Sequence, residues 1–217
     1  MIKYILLNAP PRVGKDTLAN SFLEFIGGKS SIRVYEFKDG LKAICESIAN
    51  NVGSPYRVFV NTAAYENYKD KHNEYLGMTP REFMIHVSEN FMKPTFGQDV
   101  WGKAALRLKA GNGTVFDEGK RKYREDGWII GLFPDAGFMS EIKPLVDSLE
   151  ENEEILLIRM HSNGMTFKND SRDYVYVNNP KVIELDLDIP RLVKKDVEKY
   201  YDNLAKGLIK QYNLEKK

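Results

Sequence analysis

Residues 2–17 read IKYILLNAPPRVGKDT. The run from Ile2 to Leu7 is short, apolar and rich in strand-forming residues, which is typical of a strand buried in a parallel sheet. A helical pattern then begins at Gly14 and carries Leu18 and Phe22 on one face. The segment therefore predicts a buried strand, a short proline-containing loop and a helix in immediate succession.

The loop between this strand and this helix has the character of a phosphate-binding loop. Consecutive backbone N–H groups at the positive end of a helix bind anions, and Gly14 leaves room for close approach. Lys15 adds a full positive charge for the β and γ phosphates, so it is the first predicted catalytic residue. Ala9 and Asp16 stand where such loops usually have glycine and a serine or threonine. The predicted contacts to the phosphates of ATP are Arg12, Val13, Gly14, Lys15, Asp16 and Thr17.

Strands and helices alternate along the rest of the chain. Further strands are predicted at 31–37, 128–133, 154–159 and 182–187, and helices at 39–48, 79–91, 99–108, 138–149 and 191–212. This alternation predicts an α/β fold, with a parallel sheet of about five strands flanked by helices. The 217 residues are assigned to a single domain, with an inserted, mostly helical region at about 51–110.

Three helices carry more detailed expectations. Thr79, Pro80 and Glu82 have the spacing of a capping box, and Asp39 is placed to cap the helix that carries Cys45. The buried face of the helix from 79 is predicted to comprise Phe83, Met84, Val87 and Phe91. The buried face of the last helix is predicted to comprise Val193, Val197, Tyr200, Leu204 and Leu208. The charged, glycine-punctuated stretch 111–127 is interpreted as a surface excursion.

Composition limits the classes of function. The formal charge is +1, from 32 basic and 31 acidic residues, so bulk nucleic-acid binding is not expected. The single cysteine, Cys45, lies at helical spacing among apolar residues and is expected to be a buried structural thiol. No apolar run approaches the roughly 20 residues that span a bilayer. These features predict a cytoplasmic protein that does not bind membranes.

Several polar and aromatic residues are candidates for chemistry on a phosphate. Asp135 follows the strand 128–133 and is interpreted as a catalytic residue that binds Mg²⁺ through water, with a helix cap as the alternative. Arg159 and Arg172 are predicted to neutralise charge during phosphoryl transfer, because a planar guanidinium matches phosphate oxygens. Arg81, in the first turn of its helix, and Lys42 are candidates for binding an acceptor phosphate. Trp101 is a candidate for stacking on a base, with burial in the core as an equal alternative.

Several stretches resemble the deoxynucleoside monophosphate kinases of bacteriophage type, within the P-loop nucleoside monophosphate kinases. The stretches are Pro11 to Ala19, Phe37 with Leu41-Lys42, Thr79-Pro80-Arg81-Glu82, Phe96-Gly97-Gln98-Asp99-Val100-Trp101, and Thr166-Phe167 with Asp170-Ser171-Arg172. The resemblance implies that Thr17 binds Mg²⁺ and that the loop at about 160–173 is a lid. It also implies an acceptor pocket lined by 37–42 and 79–101, including Phe37. The sequence departs from this family at Ala9, at 111–127 and at 188–190.

The resemblance implies ATP-dependent phosphorylation of deoxynucleoside monophosphates to diphosphates, with Mg²⁺ as cofactor and small-molecule nucleotides as partners. Its cellular setting is then the host-cell cytoplasm. Two alternatives stay open: a P-loop kinase that acts on another acceptor, such as a modified base in DNA or a coenzyme precursor, and a nucleotide-binding regulatory protein without transfer activity. The sequence also leaves open whether the chain forms a homodimer.

Overall fold

The structure is a computed structural model of the chain. It describes residues 1–26, 32–54, 58–60, 62–107, 111–117, 122–168 and 170–214. Side chains are described for these residues except 62–63, 111–117 and 122–128. No helix within these ranges is long and apolar enough to cross a membrane.

A parallel sheet forms the centre of the molecule. The strands are β1 (Ile2–Asn8), β2 (Ile32–Val34), β3 (Gly111–Asp117), β4 (Lys122–Phe133), β5 (Glu154–Ser162) and β6 (Val182–Ile189). The order is β2-β4-β1-β5-β6, all four neighbouring pairs are parallel, and β3 pairs antiparallel with β4. The apolar run at the start of the chain is therefore the central strand, which explains why both of its faces are buried.

Helices flank the sheet and fill the region between β2 and β3. They are α1 (Lys15–Phe25), α2 (Asp39–Asn51), α3 (Thr62–Tyr68), α4 (Pro80–His86), α5 (Lys93–Phe96), α6 (Val100–Ala105), α7 (Met139–Asp147) and α8 (Val197–Gln211). A π-helical turn (Val87–Met92) joins α4 to α5, and a 3₁₀ turn (Lys194–Asp196) precedes α8. The α/β class, the five parallel strands and the flanking helices confirm the sequence prediction at that level.

The two faces of β1 pack against different helices. Ile5 and Leu7 lie in one core cluster with α1 and α8, whereas Tyr4 and Leu6 lie in another with α7. The chain leaving β1 therefore turns to one side of the sheet, and the chain leaving the adjacent β4 turns to the other. Such a divergence is a topological switch point, and open α/β sheets bind ligands in the crevice at the carboxyl ends of the two strands there. The loop at 9–14 and the turn at 134–138 border this crevice.

A third core cluster holds the helical region together. It contains Leu41 and Cys45 of α2, Met84 of α4 and Trp101 of α6. Cys45 is completely buried, which confirms the expected structural thiol, and burial raises the pKa of that thiol to about 12. Trp101 is 5% exposed, and its Nε1 donates to Ser88 Oγ at 2.9 Å, so it belongs to the core.

The capping box at α4 is confirmed in full. The Glu82 amide donates to Thr79 Oγ1 at 3.2 Å, and the Thr79 amide donates to Glu82 Oε2 at 2.9 Å. The cap predicted for α2 is wrong by one position, because Lys38 is the capping residue and Asp39 is already helical. The Asp39 carboxylate instead accepts from the Glu36 amide at 2.9 Å in the preceding turn.

Two predicted helix faces are partly wrong. Phe91 is 57% exposed rather than buried, because the π-helical turn inserts extra backbone and rotates Phe91 outward while Met92 packs against the core. On α8, Tyr201 and Ala205 lie in the core, and Val193 precedes the helix and is exposed. Leu208 is buried as predicted, and Val197, Tyr200 and Leu204 are partly buried against the same core, so the buried face includes most of the predicted residues and extends to Tyr201 and Ala205.

The stretch 111–127 also differs from its predicted form. Its described part forms β3 and the first half of β4, which pair as an antiparallel hairpin. β4 therefore starts at Lys122, six residues before the predicted strand at 128–133. Main-chain pairing with β3 makes strands of residues whose charged and glycine-rich composition favours a loop.

Candidate functional site

The loop from β1 to α1 curls tightly at the crevice. Arg12 and Gly14 both have left-handed backbone conformations, with φ of 68° and 97°. Gly14 occupies the N-cap position of α1 but has no side chain to cap the helix, and the Leu18 amide donates to Gly14 O at 3.0 Å. The amides that precede Leu18 in the first turn have no carbonyl of the helix to bond. Positive φ values next to an uncapped helix start produce a concave row of N–H groups, which is the geometry of an anion site.

Lys15 lies across this loop. Its Nζ donates to Ala9 O at 2.7 Å and to Pro10 O at 2.9 Å. Burial, followed by the positive charge of Arg172, lowers the pKa of Lys15 to about 8. An anion in the loop would reverse this effect, because it would stabilise the ammonium. Asp16, Asp170 and Asp135 act on Lys15 in the opposite direction and raise its pKa, but burial and Arg172 prevail.

Asn8 fixes the end of β1 to two other segments at the crevice. Its fully buried side chain donates to Ala136 O at 2.9 Å and to Asp173 O at 3.0 Å. Its Oδ1 accepts from the Val175 amide at 3.0 Å. One side chain thus aligns the loop after β1, the turn after β4 and the segment that leads into β6.

Arg172 lies over the turn after β4. Its Nε and Nη2 donate to the two carboxylate oxygens of Asp170 at 2.9 and 2.6 Å. The aliphatic part of the side chain packs against Gly137, where a Cβ atom would collide with it. The predicted lid arginine is therefore held in a fixed orientation beside Lys15, which it influences through its charge.

Two carboxyl groups complete this group of residues. Asp135 Oδ1 accepts from the Phe37 amide at 3.2 Å, and burial raises the pKa of Asp135 to about 6. Burial, followed by the nearby charge of Asp135, raises the pKa of Glu141 to about 8. Glu141 Oε2 is buried and has no hydrogen-bond partner among the described residues. The site therefore contains an acid that is mostly protonated at neutral pH.

Arg159 lies on β5, and its guanidinium is directed toward β6 rather than toward Lys15 and Arg172. It is 3% exposed, on the face of β5 that carries Leu157. Its guanidinium donates to both oxygens of Asp186 at 2.8 and 2.7 Å, to Glu184 and to Val175 O at 3.0 Å. It also stacks on the ring of Tyr176 at 4.1 Å. Its catalytic role stays a prediction, and in this conformation it holds the chain before β6 against the sheet.

The predicted acceptor residues are distributed over the helical region. Phe37 is buried and stacks on Phe133 with ring centroids 4.6 Å apart. Lys42 forms an ion pair with Glu36. Arg81 Nε donates to Asp70 Oδ1 at 2.7 Å, and both side chains are exposed. Phe37 and Trp101 thus contribute mainly to packing, whereas Arg81 has guanidinium surface open to solvent.

Sequence reasoning missed three residues that the fold brings to the site: Asn8, Glu141 and Tyr201. Asn8 had a usable signal, because a polar residue at the end of a buried apolar strand needs hydrogen-bond partners. Glu141 had none, since an acid in the first turn of a helix is ordinary. Tyr201 was overlooked because Tyr200 beside it matched the expected face of α8.

Magnesium could be held by residues of this site. The part of the chain with described residues contains no group of three or more His, Cys, Asp or Glu side chains able to bind a metal. Mg²⁺ at a phosphate site needs only one or two protein oxygens, because phosphates and water supply the others. Asp135 suits this role, since its half-buried carboxyl has no ion pair with any described residue. Thr17 offers a hydroxyl in the first turn of α1.

Comparison of the sequence with models of protein families finds no match, and comparison with curated proteins finds no significant relative. The fold and the site define the chain as an α/β protein with a five-strand parallel sheet flanked by helices.

Proposed function

We propose that this chain is a phosphotransferase that moves the γ-phosphoryl group of ATP onto a nucleoside monophosphate, with deoxynucleoside monophosphates as its acceptors. The observation that carries the proposal is the junction of β1 and α1. There a loop with two left-handed residues, an uncapped helix start and a half-buried lysine meet at the crevice. The P-loop assignment of residues 9–17 rests on this geometry together with the sequence motif.

The residues at the crevice suit phosphoryl transfer. An acceptor phosphate oxygen forms a bond to the γ phosphorus while the bond to the β–γ bridging oxygen breaks, and ADP leaves. Negative charge then develops on the equatorial oxygens of the transferred group, and the main task of the site is to stabilise this charge. Lys15 and Arg172 supply cations on neighbouring segments, and Asp170 orients Arg172 while leaving Nη1 for a phosphate oxygen. The loop amides bind the donor phosphates.

Mg²⁺ supplies further charge neutralisation and orientation of the phosphates when it is bound. Thr17 and, through water, Asp135 would hold it. Burial raises the pKa of Asp135, and a bound cation would oppose this by stabilising the ionised carboxylate. The chain's own contribution is to keep that carboxyl at the crevice through the Phe37 amide.

The acceptor is proposed to bind between this edge of the sheet and the helical region. Lys93 lies over the ring of Phe138 at 5.5 Å, and its charge influences Glu141, so α5 and the start of α7 approach each other there. Arg81 on α4 is proposed to bind the acceptor's 5′-phosphate. The nearly balanced charge of the chain favours a free nucleotide over a nucleic-acid acceptor.

The proposal is tested by measuring ADP release with ATP and each common ribo- and deoxyribonucleoside monophosphate. Deoxynucleoside monophosphates should be phosphorylated, whereas nucleosides that lack the 5′-phosphate should not. Labelling of DNA from ATP with no turnover of free monophosphates would reject this acceptor. ATP binding without any turnover would instead identify a regulatory nucleotide-binding protein.

A further inference from the structure

Tyr201 connects the last helix to the phosphate loop. It is 2% exposed, and its hydroxyl donates a hydrogen bond to Val13 O. Burial raises the pKa of Tyr201 to about 12, so the hydroxyl stays protonated at physiological pH. The contact joins residues 188 positions apart in the sequence, so it depends on the packing of α8 against α1.

The hydrogen bond fixes the orientation of one peptide group. In a trans peptide the C=O and the following N–H point in opposite directions. Because Val13 O is directed at Tyr201 in the core, the Gly14 N–H is directed away from α8. The left-handed conformation of Gly14 belongs to the same local geometry, and it makes this amide part of the concave row at the start of α1.

The ring of Tyr201 also restricts what can stand at position 14. A Cβ atom at Gly14 would collide with the hydroxyl and with the ring, at 2.5 Å from Cζ and 2.8 Å from Cε2. Gly14 is therefore required for two reasons: its positive φ and the tyrosine packed directly against it. Tyr201 fills the space behind the loop and leaves the loop little freedom to collapse inward.

We propose that Tyr201 is a positioning residue for nucleotide binding, which holds the Val13–Gly14 peptide with its N–H turned toward the phosphates of ATP. This inference rests on the proposed function. It assigns a direct role in the donor site to α8, a helix that otherwise serves the core. Without the hydroxyl, the peptide can rotate, and the amide is no longer pre-oriented before ATP arrives.

The test compares Tyr201→Phe with Tyr200→Phe. Each variant loses one hydroxyl, the two positions are adjacent, and the Tyr200 hydroxyl has no hydrogen bond to any described residue. We expect the Kd for ATP, measured by calorimetry, to rise about tenfold in Tyr201→Phe, as fits one lost hydrogen bond and a poorly oriented second donor. Tyr200→Phe should stay within about twofold of the unmodified chain. The KM for the acceptor should not change in either variant.

The outcomes separate the two proposals. If the unmodified chain does not bind ATP, the proposed function fails, and the role of Tyr201 fails with it. If it binds ATP and Tyr201→Phe binds equally well, only the positioning role is wrong. A variant that is merely less stable would lower the melting temperature without changing the ratio of ATP affinity to acceptor KM. Should Tyr201→Phe not fold, the test uses the amide resonance of Gly14 in the unmodified chain. This resonance should shift when ATP is added. If ATP binds and the resonance stays unchanged, the Gly14 N–H does not face the phosphates and the inference is refuted.

Discussion

The charged form of Lys15 is disfavoured by partial burial and by the neighbouring Arg172. Burial and the charge of Arg172 lower its pKa, so the folded state holds the lysine proton less tightly than the unfolded state does. Stability should therefore rise with pH between about 8 and 10.5, where the unfolded chain carries the extra proton. Under the proposed function, the phosphates of ATP would stabilise the charged form of Lys15 and so raise its pKa.

If the proposed function is right, Lys15→Met should lower turnover by at least about a hundredfold, because the proposed donor site loses the lysine cation. The same variant should melt at the same temperature as the unmodified chain or higher, since a half-buried charge has been removed. Steady-state ADP release and thermal unfolding at pH 7 measure the two effects. Near-normal turnover would be incompatible with the phosphate-loop assignment.

Glu141 should change the stability of the fold with pH in the opposite direction to Lys15. Its pKa is raised from 4.5 to about 8, so the folded state binds the proton more tightly than the unfolded state. Stability that depends on this proton is present at low pH and is lost as pH rises toward 8. The groups that influence it are Asp135, which raises the pKa further, and Lys93 and Arg172, which oppose the shift.

Glu141→Gln should flatten the dependence of the melting temperature on pH between about 5 and 8, because glutamine mimics the protonated acid. At pH 8 the variant should be the more stable protein. Glu198→Gln is the matched control, since Glu198 lies in the first turn of α8 and is exposed. Identical pH profiles for Glu141→Gln and the unmodified chain would show that Glu141 is ionised in the folded state.

Among the helices, α6 and α7 make an unusually close approach. A Cβ atom at Gly102 of α6 would collide with the Glu141 carbonyl oxygen and lie 2.8 Å from Pro144 Cγ. The backbone of α7 cannot retreat without moving Glu141 and the turn that carries Asp135. Glycine at position 102 therefore allows the close packing of α6 on α7 that holds Glu141 and Asp135 in place.

Gly102→Ala should lower the free energy of unfolding by about 1–3 kcal/mol, as overpacking does. Alanine normally stabilises a helix relative to glycine by up to about 1 kcal/mol, so the destabilisation expected for Gly102→Ala is opposite to the usual effect of this substitution. Gly207→Ala in α8 provides the control and should be stabilising, because a Cβ atom there would meet no atom of the described residues within 4 Å. Chemical denaturation of the two variants measures both values, and equal effects would contradict the close packing of α6 on α7.

The helix ends and faces show which local features the sequence encodes. The capping box at Thr79 was predictable because its two hydrogen bonds involve residues three positions apart. The outward position of Phe91 was not, since a π-helical turn changes the periodicity on which the prediction depended. The role of Arg159 likewise depends on Asp186, which only the pairing of β5 with β6 brings opposite it.

At the level of the whole molecule, the class of fold followed from the alternation of apolar strands and amphipathic helices. The sequence places the loop at 9–14 and Asp135 at strand ends, and parallel strands end at a common edge. The lateral order β2-β4-β1-β5-β6 and the hairpin of β3 with β4 depend on contacts distant in the chain. Local sequence patterns therefore could not predict these long-range pairings or the packing of Tyr201 and Glu141.

The burial of Cys45 makes the whole chain inert toward thiol reagents. Its thiol is completely buried, and its pKa of about 12 leaves almost no thiolate at neutral pH. In native protein we expect Ellman's reagent to detect almost no thiol, whereas unfolding in guanidinium should release one equivalent per chain. Fast labelling of the native protein would mean that the cluster around Cys45 opens readily.

Because the native chain has no accessible thiol, a cysteine introduced at the surface can be labelled selectively with a fluorescent dye. Ser171 is exposed and lies between Asp170 and Arg172, so Ser171→Cys would place a single dye on the proposed lid. The dye would report whether that segment moves when nucleotides are added, with no need to remove a native cysteine first.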